Sequence, residues 1–241
     1  MRPYIICHMT TSLDGKVTGE FLNAPACAPA IDTYYELNRA CMAGKGRRGY
    51  ACGRVTMEGS FTGGFQPDLT AFEDAEVLGG PDGGRMDFIA DEEAEFFAVA
   101  FDRKGRLGWT GPTIQDEDPG YGGAHIVEVV TEQVSDAYLR YLQSIGVTYL
   151  IAGEKELDLP LALHKLRAIL GIETLALEGG SILNGAFQRA GVIDELSLVV
   201  APVAGGAEDQ PLFENAALEE YELCQVMSRE HSVLWLNYKK K

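Results

Sequence analysis

Glu178-Gly179-Gly180-Ser181 is the part of this chain whose residue types best suit chemistry. A carboxylate ends an apolar run, two glycines follow, and a helical pattern begins at once. The glycines let backbone approach whatever lies above the strand end. A helix N-terminus presents free N–H groups and the positive end of a dipole, an anion site suited to a dinucleotide pyrophosphate. A Gly-Gly turn is also a common connector with no ligand. Glu178 shifts the weight toward a site, because a purely structural residue at a covered strand end is more often neutral.

The flanking elements follow from patterning. Residues 174–177 form a short apolar run with a β-branched member, as a buried strand needs. Ser181 is a plausible N-cap. Ile182, Leu183, Ala186, Phe187 and Ala190 recur at helical spacing, and Gly191 closes the helix. Residues 195–201 are nearly all apolar, a covered strand that Pro202 stops.

The ordered run Glu-Gly-Gly-Ser-Ile-Leu-Asn-Gly-Ala-Phe, then Ala-Gly-Val-Ile-Asp-Glu-Leu-Ser-Leu-Val-Val-Ala-Pro, resembles the closing signature of a reductase domain of riboflavin biosynthesis. That RibD C-terminal-like domain belongs to the dihydrofolate-reductase-like superfamily. Ser12-Leu13-Asp14-Gly15-Lys16 resembles its first signature, a loop that passes the nicotinamide. Gly53-Arg54-Val55-Thr56 resembles the Gly-Arg-x-Thr that opens a helix facing the cofactor phosphates. Asp102-Arg103-Lys104-Gly105-Arg106-Leu107 resembles the strand-end turn that meets the adenosine 2′-phosphate. Arginine and lysine suit that phosphate, although a charged hairpin turn is the plainer account. Arg39 matches an arginine that holds substrate phosphate, against the plainer reading of an exposed helix arginine.

The resemblance therefore implies cofactor contacts at Ser12, Asp14, Gly53, Arg54, Thr56, Arg103, Gly179, Gly180, Ser181, Ile182 and Leu183. It implies substrate contacts at Arg39 and Glu178. The residues themselves identify no dedicated proton donor; Asp14 and Glu178 are the catalytic candidates. The implied architecture is an α/β, three-layer fold, with a mixed, mostly parallel sheet flanked by helices and a C-terminal antiparallel pair. The implied activity is hydride transfer from NADPH to a small polar substrate, in a homodimer. The family default substrate is 5-amino-6-(5-phosphoribosylamino)uracil. One departure weighs against it: where those enzymes carry a further arginine, this chain reads Thr-Gly-Gly-Phe-Gln-Pro-Asp at residues 62–68. A different pterin, carbonyl or imine substrate is the second reading. A non-catalytic NADPH-binding protein is the third.

The expected organisation is a single reductase-like domain over residues 1–241, with an acidic, glycine-punctuated insertion at about 62–95. Ten acids against Arg85 alone give residues 66–95 a charge of −9, over half of the net −16. Such acidity disfavours nucleic acid as a partner. Five cysteines without a C-x-x-C pair, and two histidines (His125, His164) without ligand spacing, argue against a metal site. Neither H-x-E nor P-C-x-x-C occurs, so a fused zinc deaminase is not expected. No apolar window suits a membrane span and the first residues lack a signal-peptide pattern, so the expected location is cytoplasmic.

Alternating apolar segments complete the reading. Strands are expected at residues 4–9, 50–53, 96–101, 126–130 and 147–152. Helices are expected at 32–42, with Asp32 as its cap, at 134 or 135 to 145, and at 159–170. A closing pair is expected at 221–227 and 232–238. This strand-helix order implies parallel winding. Lys45, Arg47 and Arg48 suit the helix C-terminus before them, and Lys239–Lys241 reads as a solvated end.

Overall fold

A computed structural model of the chain describes residues 1–74 and 85–241. Within the acidic insertion, Gly79, Gly80, Gly83, Gly84, Glu76 and Asp82 lie outside the described residues. The strands are β1 (Tyr4–Thr11), β2 (Lys16–Thr18), β3 (Arg48–Gly53), β4 (Phe96–Phe101), β5 (His125–Val130), β6 (Thr148–Ile151), β7 (Thr174–Leu177), β8 (Glu195–Val200), β9 (Gln210–Pro211), β10 (Tyr221–Ser228) and β11 (Leu234–Lys240). The α-helices are α1 (Ala28–Met42), α2 (Arg54–Met57), α3 (Asp136–Ser144), α4 (Leu159–Ala168) and α5 (Ser181–Arg189). The chain divides into two compact units, residues 1–3 with 46–173 and residues 4–45 with 174–241. Mostly parallel strands flanked by helices, with antiparallel strands toward the C-terminus, bear out the expected fold class. No described helix is long and apolar enough to cross a membrane.

In the 46–173 unit, β3, β4, β5 and β6 run parallel in sequence order. Every residue of β5 is buried, which is why its sequence carries no polar-apolar alternation. Ser135 Oγ caps α3 by accepting from the Tyr138 amide at 3.2 Å, and Asp158 caps α4 through Leu161 at 2.9 Å. The end of the acidic insertion covers the edge of β6. Phe88 exchanges two backbone hydrogen bonds with Tyr149, each 3.0 Å. That satisfies groups a bare edge would expose. Arg47 does not serve the end of α1 as expected: it donates to the carbonyls of Leu170 and Glu92.

Asp87 fastens this edge cover. Its Oδ1 accepts from the Ile151 amide and from Lys165 Nζ, both at 2.8 Å. The pair is about four-fifths covered, so it is worth more than a surface ion pair. Asp87→Ala leaves an amide and an ammonium without their acceptor. It should cost about 2 kcal/mol, read as a lower urea midpoint at unchanged slope.

In the other unit the strand order is β10-β11-β8-β1-β7. β1 runs parallel to both β7 and β8, while β11 is antiparallel to β8 and β10. β2 and β9 form a separate small pair. Beside α1 lies a core of Phe21, Cys27, Ala30, Val199, Ala201 and Val233. The helix begins at Ala28 rather than Asp32. A 3-10 turn, Pro25–Cys27, feeds directly into it, proline stands in its first turn, and no side chain caps it. Asp32 lies inside the helix. Lys239 and Lys240 belong to β11 rather than to a solvated tail, and Lys240 Nζ donates to the Gly191 carbonyl at 2.7 Å.

His8 ties α1 to this sheet. It is buried in β1 and stacked on Tyr34 with ring centroids 4.3 Å apart. Nε2 lies 3.1 Å from the Tyr34 carbonyl, which can only accept, so that nitrogen carries the proton. Nδ1 then accepts from Ser197 Oγ at 3.0 Å, and Ser197 accepts from the Trp235 indole at 2.9 Å. Burial holds the His8 pKa below its ordinary value. The unfolded chain takes up a proton near pH 6.5; the native state resists until lower pH. The contribution of His8 is therefore full above about pH 6.5 and lost as pH falls through the folded value. Urea midpoints between pH 7.5 and 5 should fall more steeply for the wild type than for His8→Gln, by up to about 1.4 kcal/mol per pH unit.

Candidate functional site

The chemistry-bearing turn closes β7 and opens α5. Glu178 follows the strand and is only 7% exposed. The Gly179-Gly180 peptide is cis. Gly180, at φ −74° and ψ −169°, is the N-cap. Ser181 is thus the first helical residue and not the cap, because its hydroxyl donates instead to the Pro211 carbonyl at 2.5 Å. Among the described residues no side chain caps α5, so the first-turn amides of Ser181, Ile182 and Leu183 meet no side-chain acceptor. Ile182 is 70% exposed, a large apolar side chain presented at the helix start.

The Ser12–Lys16 turn belongs to the same unit. Ser12 Oγ donates to Asp14 Oδ1 at 2.7 Å and accepts from the Lys16 amide at 2.9 Å. Asp14 Oδ1 also accepts the Gly205 amide at 2.7 Å. That amide first, and the Ser12 hydroxyl second, hold the Asp14 carboxyl below the usual carboxylate range. A carboxylate so engaged anchors its turn; it is poorly disposed to give up a proton at neutral pH.

A segment between the expected strands, residues 203–214, joins these two turns. Residues 203–214 accept from Leu13 through the Val203 carbonyl, donate to Gly15 through the Leu212 amide, and hold α5 through Pro211 and Glu214. One strap therefore fixes Ser12 and Asp14 relative to Ser181 within this unit. Within it the Asp209 carbonyl accepts from Lys16 Nζ at 3.0 Å. Arg39, on the last turn of α1, is exposed and is not part of this strap.

The 46–173 unit carries the other phosphate-typed residues. Gly53 ends β3 and caps α2, which continues through a π-helical turn, Glu58–Thr62. Arg54 pairs with Glu58 at 2.7 Å, and both are about a third exposed. Thr56 is half-buried on the same short helix. Arg103 lies just past β4 and forms an exposed ion pair with Glu156. The two groups belong to different units. Among the described residues no cluster of His, Cys, Asp or Glu could hold a metal ion.

A family comparison picks out the stretch that carries β7 and α5. Residues 122–234 match the RibD C-terminal domain. This bears out the resemblance read from residues 178–202; the Ser12–Lys16 and Gly53–Thr56 signatures lie outside the matched stretch. A 2,5-diamino-6-ribosylamino-4(3H)-pyrimidinone 5′-phosphate reductase of Methanothermobacter thermautotrophicus is 38% identical over 71 residues, 29% of this chain and 32% of that protein. The Aquifex aeolicus protein of the same name is 31% identical over 88 residues, 36% of this chain and 39% of its own. The alignments thus span between 32% and 39% of these relatives. Among solved structures, a pyrimidine reductase-like protein of Corynebacterium diphtheriae superposes with a TM-score of 0.64 at 15% identity, over 99% of this chain and 92% of its own. At that identity the likeness speaks for the RibD-like fold alone.

Proposed function

We propose that residues 1–241 act as one NADPH-dependent reductase domain of riboflavin biosynthesis, a cytoplasmic homodimer that reduces a phosphoribosylamino-pyrimidine. The observation that carries the reading is the uncapped start of α5 behind Gly179-Gly180, inside the stretch that matches the RibD C-terminal domain. The relatives' names support a ribosylamino-pyrimidine phosphate as substrate.

Each unit, taken by itself, carries groups typed for phosphate. The α5 amides would take the pyrophosphate, and Arg54 and Thr56 are typed for cofactor phosphates. Arg103 would exchange its exposed Glu156 partner for a 2′-phosphate, a small loss because such surface pairs are worth about 0–1 kcal/mol. Bound NADPH supplies the hydride. Ser12 and Asp14 shape the turn beside it. Glu178 would orient the substrate, and Arg39 is placed on an exposed helix face where a phosphate could reach it.

Thermal melts with each cofactor test this. A ligand held at 100 times its Kd adds about 2.7 kcal/mol, roughly 5–10 °C for a chain of this size. NADPH should give that shift and NADH should bind about tenfold or more weakly. Arg103→Met should erase most of the difference. No shift with either cofactor would remove the reading. Oxidation of NADPH followed at 340 nm with the ribosylamino-pyrimidine 5′-phosphate, against pterins and simple imines, then decides the substrate.

A further inference from the structure

Glu128 is a carboxyl group that the proposed chemistry leaves unused. It lies in β5 in register with Ala100 of β4 and Tyr149 of β6, and it is fully buried. Its Oε1 accepts the Trp109 indole N–H and lies 3.3 Å from the Tyr138 hydroxyl. That hydroxyl gives its own proton to the Leu107 carbonyl at 2.7 Å. Oε2 has no partner, and no cation pairs with the group, among the described residues. An ionised carboxylate in such a place would be severely penalised, whereas a neutral acid would not.

The contacts of Glu128 converge on the segment after β4. Asp102 Oδ2 accepts the amides of Arg106 and Leu107, the latter at 2.9 Å. Thr131 Oγ1 donates to the Arg103 carbonyl at 2.8 Å. The Tyr141 hydroxyl donates to the Trp109 carbonyl. Arg103 rides on the turn held by these bonds.

We infer that Glu128 is a positioning residue that holds the Arg103 turn in shape as a neutral acid, and that loss of its proton loosens the turn and its grip on a ligand phosphate. This rests on the reading of Arg103 as a cofactor-phosphate ligand. The titratable groups around Glu128 are Asp102 beyond β4, Tyr138 and Tyr141 on α3, and Tyr149 on β6. Burial first, and the nearby Asp102 second, push the Glu128 pKa well above its ordinary value. Burial and then Glu128 raise Tyr138 in turn. The proton therefore leaves Glu128 at higher pH than it leaves an ordinary carboxyl, and the grip weakens as pH rises.

Two readouts test this between pH 6 and 10. The first is Trp109 emission on a Trp235→Phe background, which leaves one indole. It should show a transition in that protein and none once Glu128→Gln is added, since glutamine keeps the acceptor and cannot ionise. The second is affinity for NADPH against NADH. The NADPH preference should fall about tenfold across the same transition and stay level in Glu128→Gln. A flat Trp109 emission with Glu128 intact, or an equal transition in Glu128→Gln, overturns the inference. A Trp109 transition without any change in cofactor preference overturns the coupling to Arg103. Absence of NADPH binding at every pH instead removes the cofactor reading, and with it the coupling to a phosphate.

Discussion

Gly180→Asp should leave the folded protein intact and abolish its response to NADPH. Gly180 has φ −74°, a backbone angle open to any residue, and it is the N-cap of α5. Aspartate is among the preferred N-cap residues and gains about a few tenths of a kcal/mol over glycine there. The unliganded melt should therefore hold or rise. The same carboxylate would occupy the first-turn amides that a pyrophosphate needs. Like charges 4 Å apart repel by about 4 kcal/mol at an effective dielectric of 20, a loss on the order of a thousandfold in Kd. Gly180→Asn separates charge from shape, since it offers a similar cap without the charge. It should retain more of the NADPH shift than the aspartate variant. An NADPH shift in Gly180→Asp equal to that of the wild type would show that no phosphate sits at α5.

How far the sequence reached depends on the range of the interactions. β4 and β7 were legible because an apolar run bounded by polar or glycine residues says nearly everything about a covered strand. The helix starts expected at 134 or 135 and at 159 match α3 and α4, because apolar periodicity is local; their caps, Ser135 and Asp158, act within the first helix turn. Asp32 misled by the same rule. It is a good cap residue, but the 3-10 turn before Ala28 had already started the helix. Lys240 read as a tail because its partners, Gly191 and Glu219, are distant in sequence. Glu128 gave no signal at all. In His-Ile-Val-Glu-Val-Val it is a lone acid that shares its strand face with Ile126 and Val130, and the indole that meets it belongs to Trp109, 19 residues earlier. The glycine turn of the candidate site was visible; the strap that fixes it was not, since each of its bonds pairs residues far apart in sequence.

That strap gives the second large expectation, which concerns Gly185. In an exposed helix, replacing glycine with alanine gains about 1 kcal/mol. In α5 the sign should reverse. A Cβ on Gly185 would stand 2.9 Å from both the carbonyl carbon and the amide nitrogen of Glu214, with the carbonyl oxygen closer still. Backbone cannot swing aside as a side chain can. The segment is also held by Glu214 N to Ser181 O at 3.1 Å, Ser181 Oγ to Pro211 O at 2.5 Å, and the paired bonds of Gln188 with Ala217 at 2.7 and 2.8 Å. Relieving the overlap must stretch several of these. Overpacking of 1–3 kcal/mol with one or two weakened hydrogen bonds of about 1 kcal/mol each puts Gly185→Ala about 3–4 kcal/mol below the wild type. Because Leu212 of the same strap donates to Gly15 at 2.9 Å, the Ser12–Lys16 turn should loosen too. Hydrogen exchange at the Ser12 and Lys16 amides should accelerate along with the fall in the urea midpoint. A variant as stable as the wild type would mean that α5 and residues 211–217 are not in backbone contact, and the strap would lose its place as the part that holds Ser12 and Asp14 against the start of α5.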